Sequence, residues 1–266
     1  MTPRLNRAEM QGMVTTYPES SEMSNYIRHF IYQGTQQTIL VREASAPVSA
    51  RFDPYLALHR GVRDSLAAAL SALGSAEPVS GTSLRALLDR IDLAIDLHLA
   101  VAALEERHLH PMLEELSADL TRHAAADHEE SCTAAQSLRL SLQALRAQLG
   151  GAAADAALQA LEQEFAGYCA DAVCHMQRER AAHNPLLWLH ETDQTLRHVQ
   201  ARMLDDVPQH LRCSLAAWMS LASRPSDRSA LLESLRRRVP GEAFDMVLDQ
   251  LHRWSGMSCA PVSRAA

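Results

Sequence analysis

Apolar residues recur at helical spacing along most of this chain, and the recurrence begins abruptly at Asp53-Pro54. Aspartate is a helix-capping residue and proline suits a first helical position, so Tyr55, Leu58, Val62, Leu66 and Leu70 are read as the buried face of a first helix ending near Gly74. After the turn from Pro78 to Gly81, a second helix is predicted from about Ser83 past Glu105 to Pro111. A polar break from Ser117 to Asp119 precedes a third helix, which ends at Gly150-Gly151. The fourth spans about Ala153 to Trp188, with Pro185 expected to kink or end it.

Four long helices with short connections pack most simply as an up-down four-helix bundle, which assigns 52–190 to one helical domain. Shorter amphipathic segments follow at Asp193–Asp206, Pro208–Ala222, Ser226–Val239 and Pro240–Trp254, with Pro208, Pro225 and Pro240 punctuating the boundaries. They make 191–256 a C-terminal helical extension and leave 257–266 as a tail. Residues 1–51 show no helical period. They read as a poorly ordered extension carrying one strand-like piece from Tyr26 to Val41, with Met13 and Met23 as later possible starts.

Composition narrows the class. Hydrophobic residues make up 47% of the chain and aromatics only 5%, so alanine and leucine carry the apolar content and an all-α fold is expected. A formal charge of −7 argues against nucleic-acid partners, since phosphate binding needs a basic footprint. Arg236-Arg237-Arg238 is read as a solvated helix end. No stretch approaches the ~20 apolar residues of a membrane span, and the first thirty residues lack a secretory apolar core, so the expected location is cytoplasmic. The five cysteines are odd in number and form no CxxC pair, which suits reduced thiols.

The chemistry lies in what the apolar stripes contain. Glu105 and Glu179 each stand six residues before a proline, Pro111 and Pro185, which marks an internal repeat. In the later copy His175 precedes Glu179 by four residues, so both share a helix face; in the earlier copy that position is Val101. The stripe of the fourth helix runs Phe165, Tyr168, Ala172, His175, Glu179, Ala182 and Leu186, and that of the second includes Ile91, Ile95, His98, Val101, Ala102 and Glu105. His128 leads a stripe through Cys132, Ala135, Leu138 and Leu142, and His59 lies between Tyr55 and Val62. Two carboxylates inside an apolar bundle are costly unless neutralised or shared by cations, so a metal is expected.

This arrangement resembles the hemerythrin-like, or HHE cation-binding, family. The likeness covers about Arg51 to Trp188 and is carried by Asp53-Pro54-Tyr55 leading to His59, by Glu105 to His110-Pro111, by Asp127-His128-Glu129, and by His175 through Glu179 followed by His183-Asn184. The helical tail from Glu191 to Trp254 is similar to the extension of some bacterial members. The resemblance implies that His59, Glu105, His128, His175 and Glu179 ligate a non-haem di-iron centre, with manganese or zinc as other candidate metals. Val101 departs from the family pattern, which has a histidine there.

Three nearby groups are candidates to compensate: His98, His108 and Cys132, each read first as a core or supporting residue. His183 is read as a residue that supports the ligands or stands at the mouth of the site, and His110, His123, His190, His198, His210 and His252 as surface or boundary residues. The expected function is binding of O2 or NO as sensor, carrier or scavenger. The alternatives are an oxygen-activating oxidase or oxygenase, and a metal-free helical interaction module.

Overall fold

The computed structural model describes residues 26–32, 35–41, 51–74, 81–147, 152–238 and 240–255. The chain divides into two units, 1–50 and 51–266. In the first, strands β1 (Tyr26–Tyr32) and β2 (Thr35–Val41) form an antiparallel hairpin with Tyr26 opposite Val41 and Tyr32 opposite Thr35. The strand-like reading of Tyr26–Val41 thus corresponds to a pair of strands. Residues 1–25, 33–34 and 42–50 of the presumed extension and the tail at 257–266 lie outside the described residues, while Arg51 belongs to the second unit.

The second unit is helical. Its elements are α1 (Leu56–Gly74), α2 (Gly81–His108), α3 (His110–Glu114), α4 (Ala118–Ala147), α5 (Ala152–His190), α6 (Asp193–Asp205), α7 (Gln209–Ala222), α8 (Pro225–Arg238) and α9 (Gly241–Ser255). Asp53 opens α1 as its side-chain type dictates: its Oδ1 accepts hydrogen bonds from the backbone N–H of Tyr55 and Leu56, both at 3.0 Å. Its other oxygen, Oδ2, accepts two hydrogen bonds from Arg180, which fixes the start of α1 against the middle of α5.

The fourth helix ends near the expected Trp188, since α5 runs through Pro185 to His190. One boundary differs from the sequence reading. The second predicted helix is interrupted at Leu109, after which the chain resumes as the short α3 with Pro111 in its first turn. Proline donates no backbone N–H and its φ is already helical, so it can restart a helix at a cost the preceding turn absorbs.

Contacts run α1 to α2, α2 to α4, α4 to α5 and α5 back to α1, a closed cycle of neighbours. Its interior holds Tyr55, Leu58, Leu66, Leu88, Ile91, Ile95, Leu138, Leu142 and Phe165, all essentially inaccessible to solvent. α7 lies along the outside of α1 and carries α9 on its own far side. That contact is close because Gly61 faces Met219: a Cβ at Gly61 would stand 3.0 Å from the Met219 backbone nitrogen. Arg51 ties the approach to α1 to the end of α5 and to α6, through Asp193 Oδ1 at 2.6 Å and the carbonyls of Trp188 and Glu191 at 2.8 Å.

The basic triplet sits on α8, where Arg236 and Arg237 are exposed and Arg237 faces Glu233 one turn away at 3.5 Å. Among the described residues no helix is long and apolar enough to cross a membrane.

Candidate metal centre

Each helix of the closed cycle turns at least one imidazole or carboxylate inward, because each such residue falls on the same face as the leucines and isoleucines around it. His59 comes from α1, Glu105 from α2, His128 from α4, and His175 and Glu179 from α5; all are buried. Their donor atoms form overlapping groups in which every ligand atom lies within 4.8 Å of the others: His59 with Glu105 and Glu179, and His128 with His175 and Glu179. The structure therefore brings together all five residues singled out from the sequence.

A third group is His110, Glu179 and His183. This corrects the reading of His110 as a boundary residue: it is 6% exposed, and its Nε2 lies 3.1 Å from Glu179 Oε1. His110 is five residues past Glu105, which on an unbroken helix would point it away from Glu105. Only the break at Leu109 and the restart at α3 swing it inward. Of the two readings of His183 the structure removes only the mouth: it is buried, with its Nδ1 3.6 Å from Glu179 Oε1 and 2.9 Å from the Tyr55 hydroxyl.

Glu179 is common to the three groups. Its Oε1 faces His110 and His183, while its Oε2 faces His59 at 3.4 Å and His175 at 3.7 Å and has no hydrogen-bond partner despite being buried. Glu105 spans the same space from α2, with Oε1 2.6 Å from His59 Nε2 and Oε2 3.8 Å from His128 Nε2.

Hydrogen bonding on the outer side of two rings settles where their lone pairs point. His128 Nδ1 donates to Glu106 Oε1 at 2.9 Å, and His175 Nδ1 donates to Asp127 Oδ2 at 3.0 Å. A carboxylate only accepts, so each Nδ1 carries a proton and each Nε2 is the ring atom left to face the interior. Those two Nε2 atoms face each other at 2.9 Å. Two ring nitrogens at that distance need a positive species between or beside them, either a proton shared as a hydrogen bond or a metal ion. Carboxylate behind histidine is also the usual way of fixing the tautomer and orientation of a metal-binding ring.

Electrostatics point the same way. Burial alone would raise the Glu179 carboxyl, but the hydrogen bond from His110 and the neighbouring His59 and His183 imidazoles hold it well below the usual carboxylate range. Burial would lower His59, yet Glu105, by charge and hydrogen bond, and then Glu179 raise it to about 9. Without a metal the centre thus stores a positive charge on His59, between two carboxylates. His183, by contrast, is lowered to about 4, chiefly by burial, and is a neutral ring. Burial, reinforced by Glu179 and Glu105, also keeps the Tyr55 phenol protonated.

The residues considered as replacements for the missing histidine lie elsewhere. Val101 is 2% exposed and packs in the apolar core. His98 is buried, with Nδ1 2.7 Å from the Tyr168 hydroxyl; burial lowers it to about 3, so it is neutral, and it belongs to none of the three groups. His108 pairs with Asp206 at 2.9 Å, joining the end of α2 to the end of α6. Cys132 is exposed on α4 and takes no part in the site, because the apolar face of α4 passes from His128 to Ala135 instead. The remaining histidines read as surface residues, His123, His190, His198, His210 and His252, are all at least partly exposed.

Sequence reasoning also missed Glu106 and Asp127. Each is adjacent to a candidate ligand, yet on its own helix each faces away from the core, and only packing of α2 against α4 and of α4 against α5 brings them behind the rings. Comparison with family models, with curated proteins and with solved structures finds no match for this chain.

Proposed function

We propose that this chain is a non-haem iron protein of the hemerythrin-like kind, an up-down four-helix bundle holding two metal ions and binding O2 or NO. The observation that carries the reading is the pair of His128 and His175 Nε2 atoms converging at 2.9 Å with both Nδ1 atoms already held by carboxylates. The buried Glu179 Oε2, which has no hydrogen-bond partner, supports it.

The donors divide naturally. His128 and His175 would hold one ion, and His59 with His110 and His183 the other, while Glu105 and Glu179 reach both sides and balance charge. In this division His110 and His183 supply the imidazoles that Val101 does not. Mixed imidazole and carboxylate ligation suits iron, with manganese and zinc as competitors. When bound, iron in such a donor set supplies an open coordination position for a diatomic ligand. The chain's own contribution is to fix the rings through Glu106 and Asp127, to hold the Tyr55 hydroxyl against His183, and to exclude bulk water with Leu58, Val62, Val101 and Phe165.

Elemental analysis of protein expressed with iron, followed by absorption spectra before and after O2 or NO, tests the reading. Iron approaching two per chain and a ligand-dependent charge-transfer band are expected. A colourless protein that takes up no metal when supplied with iron, manganese or zinc overturns it.

A further inference from the structure

Two buried tyrosines each meet a buried histidine through the hydroxyl: Tyr55 with His183 Nδ1 at 2.9 Å, and Tyr168 with His98 Nδ1 at 2.7 Å. Loading the centre would treat the two pairs differently. His183 Nδ1 also faces Glu179 Oε1 at 3.6 Å, so an ion held by that nitrogen takes the lone pair that the Tyr55 hydroxyl uses. His98 belongs to none of the ligand groups, and Tyr168 keeps its imidazole with or without metal.

The direction of the Tyr168–His98 hydrogen bond follows from counting donors. Burial lowers His98 to about 3 and raises the Tyr168 phenol, so near neutral pH both are uncharged and share one O–H and one ring N–H. His98 Nε2 is buried and has no hydrogen-bond partner. A ring proton on Nδ1 would take the acceptor away from the phenol and leave Nε2 unmet as well, so two groups would go unsatisfied. With the ring proton on Nε2, the phenol donates to Nδ1 and only one does. Tyr168 therefore points its proton at a bare imidazole nitrogen.

We propose that Tyr168 is a one-electron donor to the metal centre, with His98 Nδ1 accepting its phenolic proton, an inference that rests on the metal reading above. Tyr168 lies on the same face of α5 as His175, two turns earlier and so about 10 Å away along the helix. In the step the phenol O–H bond breaks. Its electron reduces an oxidised metal ion of the centre by one unit, and its proton forms an N–H bond at His98 Nδ1. A phenol that has lost an electron is a strong acid, so a neutral imidazole suffices as its base and an imidazolium would not. Because His98 Nε2 has no partner, the ring cannot pass a proton on. It is held beside the oxygen until an electron returns and the phenol is restored. Tyr55 loses this chemistry in the loaded protein, since its acceptor is taken up by the ion.

The experiment uses the full chain, loaded with ferrous iron, mixed with O2 and frozen at set times for electron paramagnetic resonance, with iron content read by elemental analysis. A tyrosine radical is expected in wild type and in Tyr55→Phe, and none in Tyr168→Phe. His98→Gln offers the phenol a carbonyl acceptor but is too weak a base to take its proton. It should melt close to wild type and form the radical at least ~10-fold more slowly, as loss of a general base requires. Nitrogen NMR of the metal-free chain should find His98 neutral with its proton on Nε2. A radical that survives Tyr168→Phe overturns the inference, as does an equal rate in folded His98→Gln or a neutral His98 protonated on Nδ1. Iron-loaded protein that gives no radical overturns the donor role alone, whereas protein that takes up no metal overturns the reading of the centre together with it.

Discussion

The Nε2 atoms of His128 and His175 stand 2.9 Å apart, while the Nδ1 of each ring donates to a carboxylate on its outer side. The arrangement depends on Glu106 and Asp127, which hold the opposite nitrogens. Replacing either acid by alanine frees the ring to rotate or change tautomer, and metal affinity should fall about 10- to 100-fold with little loss of helix content. Competition titration against a chelator measures the affinity, and circular dichroism checks the fold. Unchanged affinity in both variants would show that the outer carboxylates do not tune the site.

His110 and His98 make a discriminating pair, since both are buried and only His110 touches Glu179. His110→Ala should lower the metal content by about one ion per chain while leaving the His128 and His175 group loaded. His98→Ala should keep full metal content and lose stability instead, by about 1 to 3 kcal/mol, because it abandons the Tyr168 hydroxyl and opens space in the core. Metal counted per chain, beside denaturant melts, separates the two outcomes.

The contact of α7 with α1 depends on Gly61 having no side chain. Gly61→Val would drive a branched group into the Met219 backbone, where even a Cβ stands at 3.0 Å. A destabilisation of about 1 to 3 kcal/mol is expected in chemical denaturation, typical of forcing extra carbons into a packed interface. A variant as stable as wild type would mean that α7 contributes little to the stability of the second unit.

Thiol reactivity should follow burial. Cys169 is buried, and burial pushes its thiol up to about 12, so almost no thiolate exists near neutral pH. Cys132 and Cys174 are exposed on α4 and α5. Iodoacetamide at pH 8 should label these two in the folded protein and Cys169 only after unfolding, as peptide mass mapping will show. Early labelling at Cys169 would indicate local opening of α5.

Asp193 gives a pH-dependent contribution to stability with a definite sign. Its hydrogen bond from Arg51, aided by the Phe52 backbone and the charges of Arg51 and Arg197, lowers its carboxyl below the usual 3.8. A depressed folded-state pKa stabilises the fold above the unfolded value, and the effect is lost as pH falls through the folded one. Asp193→Asn should therefore melt earlier than wild type at pH 7, and the difference should close below about pH 3.8. A gap that persists in acid would mean the aspartate acts through something other than its charge.

Helical periodicity was enough to locate α1, α2, α4 and α5 and the four shorter helices, because each presents one apolar face and each ends at glycine, proline or a polar turn. It also placed His59, Glu105, His128, His175 and Glu179 inside, since an interior position on an isolated helix is a property of local spacing. Spacing could not place His110, whose inward turn exists only because the helix breaks at Leu109 and restarts at Pro111. Nor could it show that Cys132, which continues the His128 spacing, would be left on the surface.

Partners across helices were decided by packing alone. Glu106 behind His128, Asp127 behind His175, and the buried, unpartnered Nδ1 of His59 depend on how α1, α2, α4 and α5 are rotated about their axes. One helix's periodicity carries no information about its neighbour's rotation, because burying a different set of leucines costs nothing locally. The chemistry of the centre is a matter of angstroms between helices, and those distances are fixed only when the whole core has closed.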